Sequence, residues 1–285
     1  MFNQQNEENH ITDKDVILTL PHTRKEVFFD FLAHRKMNLF ALSCFTFMFF
    51  IPLAVDLFYF NFLESVAIAN ELDDYLFSLV FYSMLIMLPC MIIGFLGLAG
   101  AFHIAKKMVW QEGTMLSTDF FQGIKENWKH AVINGAIFGI ALFGLIMGSS
   151  YFIIFSPVAP VWSGIGIGAM VLVFIALGIM LAMFFTQDVY YSNPYAVTLK
   201  NSFLFMGIIN WKLLVLFLLS TGVVVGLCCI NMITLGIGLF LFAVFNSVVV
   251  VLYTLISHSA FDKYINKEHH PEMVNKGLYK DDKEA

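Results

Sequence analysis

Three ionisable residues fall inside or beside the long apolar runs of the sequence: Asp56, His103 and His258. A titratable side chain within a membrane is costly, and it usually has a function. The two histidines lie close to the ends of their runs that also carry lysine. We interpret them as interfacial side chains that reach towards water. Asp56 remains as the candidate for binding chemistry.

Two prolines accompany Asp56. Pro52 precedes it by four residues, so both lie on the same face of a helix, and Pro89 falls within the next apolar run. A proline inside a helix leaves one backbone carbonyl without its amide partner. We hypothesise that Asp56, Pro52 and Pro89 belong to a polar cavity that binds a small ligand or an ion. The alternative is a kinked hairpin in which Asp56 reaches the headgroups or water.

Residue patterns that would indicate catalysis are missing from the sequence. It contains no His-Glu-x-x-His, Gly-x-Ser-x-Gly or Walker motif, and no pair of carboxylates within an apolar run. The four cysteines lie in apolar runs without metal or redox spacing, and the His269-His270 pair lacks further ligands. The sequence therefore predicts no catalytic residue, no metal and no cofactor.

Composition indicates that these residues lie in a membrane protein. Hydrophobic residues make up 59% of the chain and charged residues only 13%, against about 25% charged residues in a soluble domain. A transmembrane helix needs about 20 mostly apolar residues. Six runs qualify, at residues 37–60, 76–104, 131–155, 162–185, 211–229 and 232–256. The lipid bilayer is thus the expected partner, and the lack of a basic tract argues against nucleic acid.

The charges predict the orientation of the six spans. With the N-terminus inside, all 16 lysines and arginines fall on the cytoplasmic side, as basic residues near span ends prefer. The first outer loop is acidic instead, with Glu64, Glu71, Asp73 and Asp74. We expect a multi-pass membrane protein with both termini in the cytoplasm.

Each pair of spans follows a short amphipathic stretch, at residues 23–36, 117–130 and 192–212. The expected fold is therefore all-α, with six transmembrane helices in three hairpins and short amphipathic cytoplasmic helices. Three parts follow along the chain: an N-terminal segment with an interfacial helix (1–36), the transmembrane domain (37–260) and a charged cytoplasmic tail (261–285).

Basic and aromatic residues mark where the spans enter the membrane. The triplet Asn-Trp-Lys ends the second and the third amphipathic stretch, and tryptophan with lysine is typical of the membrane interface. We predict lipid or partner contacts for six residues of this kind: Lys106, Lys107, Trp128, Lys129, Trp211 and Lys212.

Glycines four residues apart predict close helix contacts. Four such pairs occur: Gly135/Gly139, Gly144/Gly148, Gly164/Gly168 and Gly222/Gly226. Small residues let two helix backbones approach in a membrane, either within one chain or in a homo-oligomer. Asn134 and Asn246 lie within spans, where each is expected to form a hydrogen bond between helices.

One region of the chain carries a series of short motifs. They lie at residues 97–101 (Gly-Leu-Ala-Gly-Ala), 106–107 (Lys-Lys), 111–113 (Gln-Glu-Gly), 119–121 (Asp-Phe-Phe) and 124–129 (Ile-Lys-Glu-Asn-Trp-Lys). This region resembles the YesL-like family of bacterial membrane proteins. The match is good over residues 35–135 and loose beyond them. The resemblance implies a bacterial inner-membrane protein without an assigned reaction, associated with carbohydrate uptake or utilisation.

Three kinds of function are compatible with these observations. The preferred one is a non-enzymatic accessory or regulatory component, with a membrane partner such as a permease. The second is a small-solute transporter or a membrane-embedded binding subunit that uses Asp56. The third, an enzyme acting on a lipid-linked substrate, would need a cluster of His, Asp or Glu at one interface, and the sequence does not supply it.

Overall fold

The computed structural model describes residues 21–71, 73–228 and 231–279, and these contain helices but no strand. The predicted polar stretch 1–20 and residues 280–285 of the tail lie outside the described residues. The main helices are α1 (Arg24–His34), α2 (Lys36–Ala69), α3 (Asp73–Val109), α4 (Leu116–Phe155), α5 (Pro160–Tyr190), α6 (Tyr195–Phe217), α7 (Val223–Cys228) and α8 (Met232–Phe261).

Six helical stretches are long and apolar enough to cross a membrane. They are α2 to α5, then α6 with α7 as the fifth span, and α8 as the sixth. The prediction of an all-α protein with six spans is thus confirmed. The helices extend well past the predicted apolar runs: α4 has 40 residues, about 60 Å of helix for a hydrocarbon core of about 30 Å.

The amphipathic stretches differ in how they join their spans. The first is the separate helix α1, which Thr23 caps by accepting a hydrogen bond from the amide of Glu26. The Glu26 carboxylate accepts from the amide of His22 at 2.7 Å, and this bond lowers the pKa of Glu26. The other two stretches merge with α4 and α6.

Both ends of the described chain meet at one end of the bundle. The amide of Tyr279 donates to the carbonyl of Pro21 at 3.0 Å. We call this end the terminal face; it comprises α1, the α3–α4 and α5–α6 connections and the tail from Asp262 onwards. The opposite face carries the other three connections, which are short. Because the number of spans is even, both ends of the described chain lie on the same face.

The packed interior lies mostly next to the terminal face. Its largest fully buried side chains include Phe120, Phe184, Phe185 and Phe261. The rings of Phe102 and Phe185 are stacked with centroids 5.6 Å apart and an angle of 8° between them. The second span, α3, packs against α2 and most extensively against α4. This packing fixes the helix ends that carry the polar residues of the terminal face.

The fifth span is irregular. A π-helical turn, Leu218–Gly222, separates α6 from α7, and the hydroxyl of Ser220 donates to the carbonyl of Leu216 at 2.6 Å. The sixth span, α8, begins with a capping box in which Asn231 accepts from the amides of Ile233 and Thr234.

Candidate functional site

Asp56 lies in a groove between α2 and α3, in the part of the bundle nearer the opposite face. Its carboxylate is buried and accepts a hydrogen bond from the hydroxyl of Ser83 at 3.3 Å. The groove has a volume of about 230 Å³. Its lining comprises Asp56, Tyr59, Phe60 and Leu63 of α2, with Leu79, Tyr82, Ser83 and Ile86 of α3. Each helix thus contributes one face at the i, i+3, i+4, i+7 spacing.

The two prolines that were predicted to accompany Asp56 lie elsewhere on the same helices. Pro52 and Pro89 are inside continuous helices and do not line the groove. The structure brings Asp56 together with Ser83 and the tyrosines Tyr59 and Tyr82 instead. The role of the prolines in ligand binding stays a prediction.

A second polar cluster closes the terminal face around His258. The imidazole is fully buried, and its Nε2 atom accepts a hydrogen bond from the indole of Trp110 at 3.0 Å. Because an indole N–H can only donate, Nε2 is the acceptor of this bond. Nδ1 lies 3.1 Å from Oδ2 of Asp262. Both ring nitrogens are therefore occupied, and His258 is held as a structural group rather than as a free base.

Arg24 completes this cluster from the N-terminal side. Its Nη2 atom lies 2.7 Å from Nδ1 of His258 and donates to Oδ2 of Asp262 at 3.1 Å, and its Nη1 atom donates to the carbonyl of Lys276 at 2.8 Å. The other carboxylate oxygen of Asp262 accepts from Asn266 at 2.8 Å. One ion pair thus joins α1, the end of α8 and the tail, and it is mostly buried.

The tail crosses the α3–α4 connection beside this ion pair. The ammonium group of Lys276 lies 3.6 Å from the centroid of the Trp110 ring and 2.8 Å from Oε1 of Glu112. Gly277 follows with a φ of 84°, and a Cβ atom there would lie 2.4 Å from the carbonyl oxygen of Val109. The tail therefore passes close to α3 only because this residue is glycine.

Nearby, Tyr191 links the α5–α6 connection to the tail. Its hydroxyl donates to Oδ1 of Asn266 at 2.6 Å. Burial raises the pKa of the Tyr191 phenol, so the group remains a neutral donor at any physiological pH. Asn266 in turn donates to Asp262, so these bonds form one chain through the cluster.

Replacing Trp110 by phenylalanine tests this cluster. The indole hydrogen bond is lost and Nε2 of His258 stays buried without a donor, so we expect the free energy of unfolding to fall by about 1–2 kcal/mol. Unfolding in SDS followed by circular dichroism measures it. Trp128→Phe is the control: this tryptophan is half exposed, so a change within about 0.5 kcal/mol is expected. Equal effects of both exchanges would contradict this structural role of the Trp110–His258 bond.

A third cluster joins α4, α5 and α6. His130 Nδ1 lies 2.6 Å from the buried carboxylate of Asp188, and the hydroxyl of Tyr195 donates to Asn134 at 2.8 Å. Burial raises the pKa of the Tyr195 phenol, which keeps its proton. An Asp–His pair orients an imidazole as in many hydrolases. The hydroxyl of Tyr195 donates to the amide oxygen of Asn134, so it is not hydrogen-bonded to the imidazole of His130 as the nucleophile of such a hydrolase would be.

The two lysines expected to contact lipid or a partner are engaged within the chain. The Lys106 ammonium group donates to the carbonyl of Val189 and lies 4.8 Å from the centroid of Trp110. Lys107 pairs with Asp119 at 2.7 Å. Contact of either lysine with lipid or a partner stays a prediction.

The other four residues predicted to contact lipid or a partner form two Trp-Lys pairs, and the indole rings of these pairs point outward. Trp211 is 69% exposed and Trp128 is half exposed. The ammonium groups of Lys129 and Lys212 lie 5.8 and 6.0 Å from the centroids of their neighbouring indole rings. The exposed indoles have the position that interfacial anchoring needs, and their contact with lipid stays a prediction.

The glycines of these four pairs differ in whether another helix lies against them. A Cβ atom on Gly135 would lie 2.8 Å from Cα of Ile92, and one on Gly139 would lie 3.5 Å from Cα of Leu88, so this pair packs on α3. At Gly148 the contact is with the flexible side chain of Met170. The other five face open space or only their own helix: Gly144, Gly164, Gly168, Gly222 and Gly226.

Several of these polar residues were not singled out from the sequence. The interpretation of His103 and His258 as exposed interfacial side chains is wrong, since both are buried. Asn134 accepts its predicted bond between helices through its amide oxygen. The amide nitrogens of Asn134 and Asn246 are both buried without a hydrogen-bond partner among the described residues. The i, i+4 spacing of His258 and Asp262 is the sequence signal that could have indicated a paired histidine.

Comparison with family models, with curated proteins and with solved structures gives no match to this chain. The resemblance to the YesL-like family therefore stays a prediction. The described residues contain no group of three or more His, Cys, Asp or Glu side chains that could hold a metal ion. What the fold defines is a multi-pass α-helical membrane protein.

Proposed function

We propose that this protein is a non-catalytic accessory or regulatory component of a membrane assembly, with a permease as a suitable partner. The location that we infer is the cytoplasmic membrane of a bacterium, with the terminal face in the cytoplasm. The distribution of lysine and arginine supports this orientation. The resemblance to YesL-like proteins supports a link with carbohydrate uptake.

The observation that carries the proposal is the exposure of the fifth span. Only 11% of the residues in its most apolar stretch, Trp211–Cys228, are buried within the chain. Gly222 and Gly226 form a small-residue stripe there, with no other helix packed against them. Such stripes are typical of the contact face between two transmembrane helices. A partner helix packed against this stripe would bury the face of the fifth span that the other five spans leave exposed.

Leucine at Gly222 and Gly226 tests the proposal. We expect the double variant Gly222→Leu/Gly226→Leu to fold but to lose its partner, because two added side chains hold the facing helix away. The measurement is affinity purification from native membranes in a mild detergent, with quantitative mass spectrometry of the proteins that accompany the chain. We expect the partner signal to fall roughly tenfold, a change of about 1.4 kcal/mol.

The matched control is Gly207→Leu, on α6 before Trp211, where a side chain also meets open space. It should retain the partner in full. If the wild-type chain is purified without a stoichiometric membrane protein, the accessory function is contradicted. A second copy of the chain as the only companion would indicate a homo-oligomer and would also contradict it.

A second candidate function is a membrane-embedded binding subunit or small-solute transporter. The observation that favours it is the groove at Asp56, where a buried carboxylate lies beside Ser83 and aromatic rings. A ligand held there would raise the melting temperature of the purified protein, and Asp56→Asn would abolish the rise.

A further inference from the structure

Among the described residues, no positive group pairs with the carboxylate of Asp56. Its one hydrogen bond there comes from Ser83, and no ion pair between described residues includes it. An ionised carboxylate out of water is costly unless a cation or several hydrogen bonds compensate it. A single hydrogen bond at 3.3 Å offsets little of the cost of burying this charge. A cationic ligand would therefore supply the positive charge that the described part of the chain does not place beside Asp56.

The walls of the groove are suited to an organic cation. Tyr59, Phe60 and Tyr82 contribute three aromatic rings around the carboxylate, and the negative face of such a ring attracts a cation. Leu63, Leu79 and Ile86 make the remaining walls apolar. A hydrated metal ion would find few oxygen ligands here. An ammonium group with an apolar body would find both a charge and an apolar surface.

The size and the opening of the groove limit the ligand further. Its volume of about 230 Å³ is below the range of about 300–1,000 Å³ that drug-sized ligands occupy. Tyr59 and Tyr82 are 59% and 64% exposed, so the groove opens sideways between the two helices. A small headgroup fits inside, and an attached chain can extend outward along the helices.

The depth of Asp56 agrees with this kind of ligand. It lies about 20 residues beyond Lys36, which corresponds to roughly 30 Å of helix, the thickness of the hydrocarbon core. The carboxylate is therefore near the boundary between hydrocarbon and headgroups, on the face opposite the termini.

We propose that the groove between α2 and α3 binds an ammonium group that carries an apolar chain, with Asp56 as its counter-ion and the surrounding rings as its walls. This inference rests on the second candidate function and is independent of the partner helix. The same ammonium chemistry occurs in a free alkylamine and in the headgroup of phosphatidylethanolamine. Binding experiments distinguish the two sources.

The experiment uses the full chain in nanodiscs of phosphatidylglycerol, and the probes are hexylammonium and its neutral counterpart hexanol. We expect hexylammonium, but not hexanol, to raise the melting temperature by several degrees. Asp56→Asn should weaken the apparent affinity for hexylammonium by about tenfold or more, because the opposite charge is removed. In nanodiscs that also contain phosphatidylethanolamine, native mass spectrometry shows whether that lipid stays bound.

Glu64→Gln is the matched control, since it removes a carboxylate of the same helix outside the groove; it should bind hexylammonium as the wild type does. Tyr82→Ala gives a second test that leaves the buried carboxylate in place, and it should weaken hexylammonium binding. If Asp56→Asn does not fold, Tyr82→Ala alone decides.

Each outcome has a defined meaning. Stabilisation by hexylammonium that depends on Asp56 supports a free amine as the source, and retention of phosphatidylethanolamine that depends on Asp56 supports a lipid headgroup. Equal stabilisation by hexanol overturns the ammonium inference but leaves a binding function. If neither probe nor lipid binds, both the inference and the second candidate function are overturned. Unchanged hexylammonium binding by Asp56→Asn overturns the inference as well.

Discussion

Asp262→Ala is expected to lower the free energy of unfolding by about 3 kcal/mol, since removing one partner of a buried ion pair leaves the other charge uncompensated. The carboxylate is the common acceptor of Arg24, His258 and Asn266. The side chains of Arg24 and Asp262 are only 14% and 12% exposed, so water can replace few of the hydrogen bonds that Asp262 accepts. Titration of the purified protein with SDS, followed by circular dichroism, measures the change.

A double variant separates the loss of the hydrogen bonds to Asp262 from the cost of leaving the buried charge of Arg24 without its partner. Arg24→Met/Asp262→Leu removes both charges of the pair, and we expect it to be closer to the wild type than Asp262→Ala is. The exposed pair of Asp30 and His34 on α1 is the control, and His34→Ala should change stability by less than about 0.5 kcal/mol. If Asp262→Ala is as mild as this control, the buried pair does not hold the terminal face together.

Proteolysis adds a local measurement. Arg24 also donates to the carbonyl of Lys276, so loss of the ion pair should release the tail as well as destabilise the bundle. We expect faster tryptic cleavage after Lys276 in Asp262→Ala than in the wild type. This local effect distinguishes release of the tail from the terminal face from a general loss of packing, which would expose tryptic cleavage sites throughout the chain.

The number of spans could be predicted because it depends on local properties of the sequence. Long apolar runs require a bilayer, and lysines at their ends mark one side. Helix bounds were predicted less well, since a helix continues past the membrane wherever no residue breaks it. The run predicted to end at residue 185 continues as helix to Tyr190, and this extension brings Asp188 into the bundle beside His130.

The polar clusters depend on contacts between distant parts of the chain. Arg24 and Asp262 are 238 residues apart, and no local pattern links them. The position of Asp56 in an apolar run pointed to the groove, but its neighbours there depend on how α2 and α3 face each other. Pro52 shares the helix face of Asp56 without lining the groove, because the groove extends along that helix from Asp56 towards Leu63, away from Pro52.

Gly135→Leu is the exchange for which we expect the largest effect on packing. A Cβ atom there would lie 2.8 Å from Cα of Ile92 and 3.2 Å from Cβ of Phe95. The nearest atom belongs to the backbone, so no rotamer change relieves the contact, and α3 and α4 must separate. Overpacking of this kind costs about 3 kcal/mol at the upper end of the usual range. Unfolding in SDS, and the yield of monodisperse protein, should both fall.

Separation of the two helices would also disturb the aromatic contacts beside Gly135. The ring of Phe95 lies 5.3 Å from that of Phe138 and 5.7 Å from that of Phe185, which connects α3 and α4 to α5. The control is Gly144→Leu on the same helix, where a Cβ atom meets nothing within 4 Å; it should keep wild-type stability. Equal tolerance of leucine at both positions would mean that α3 and α4 do not pack through Gly135, and the contact that organises the first four spans would have to lie elsewhere.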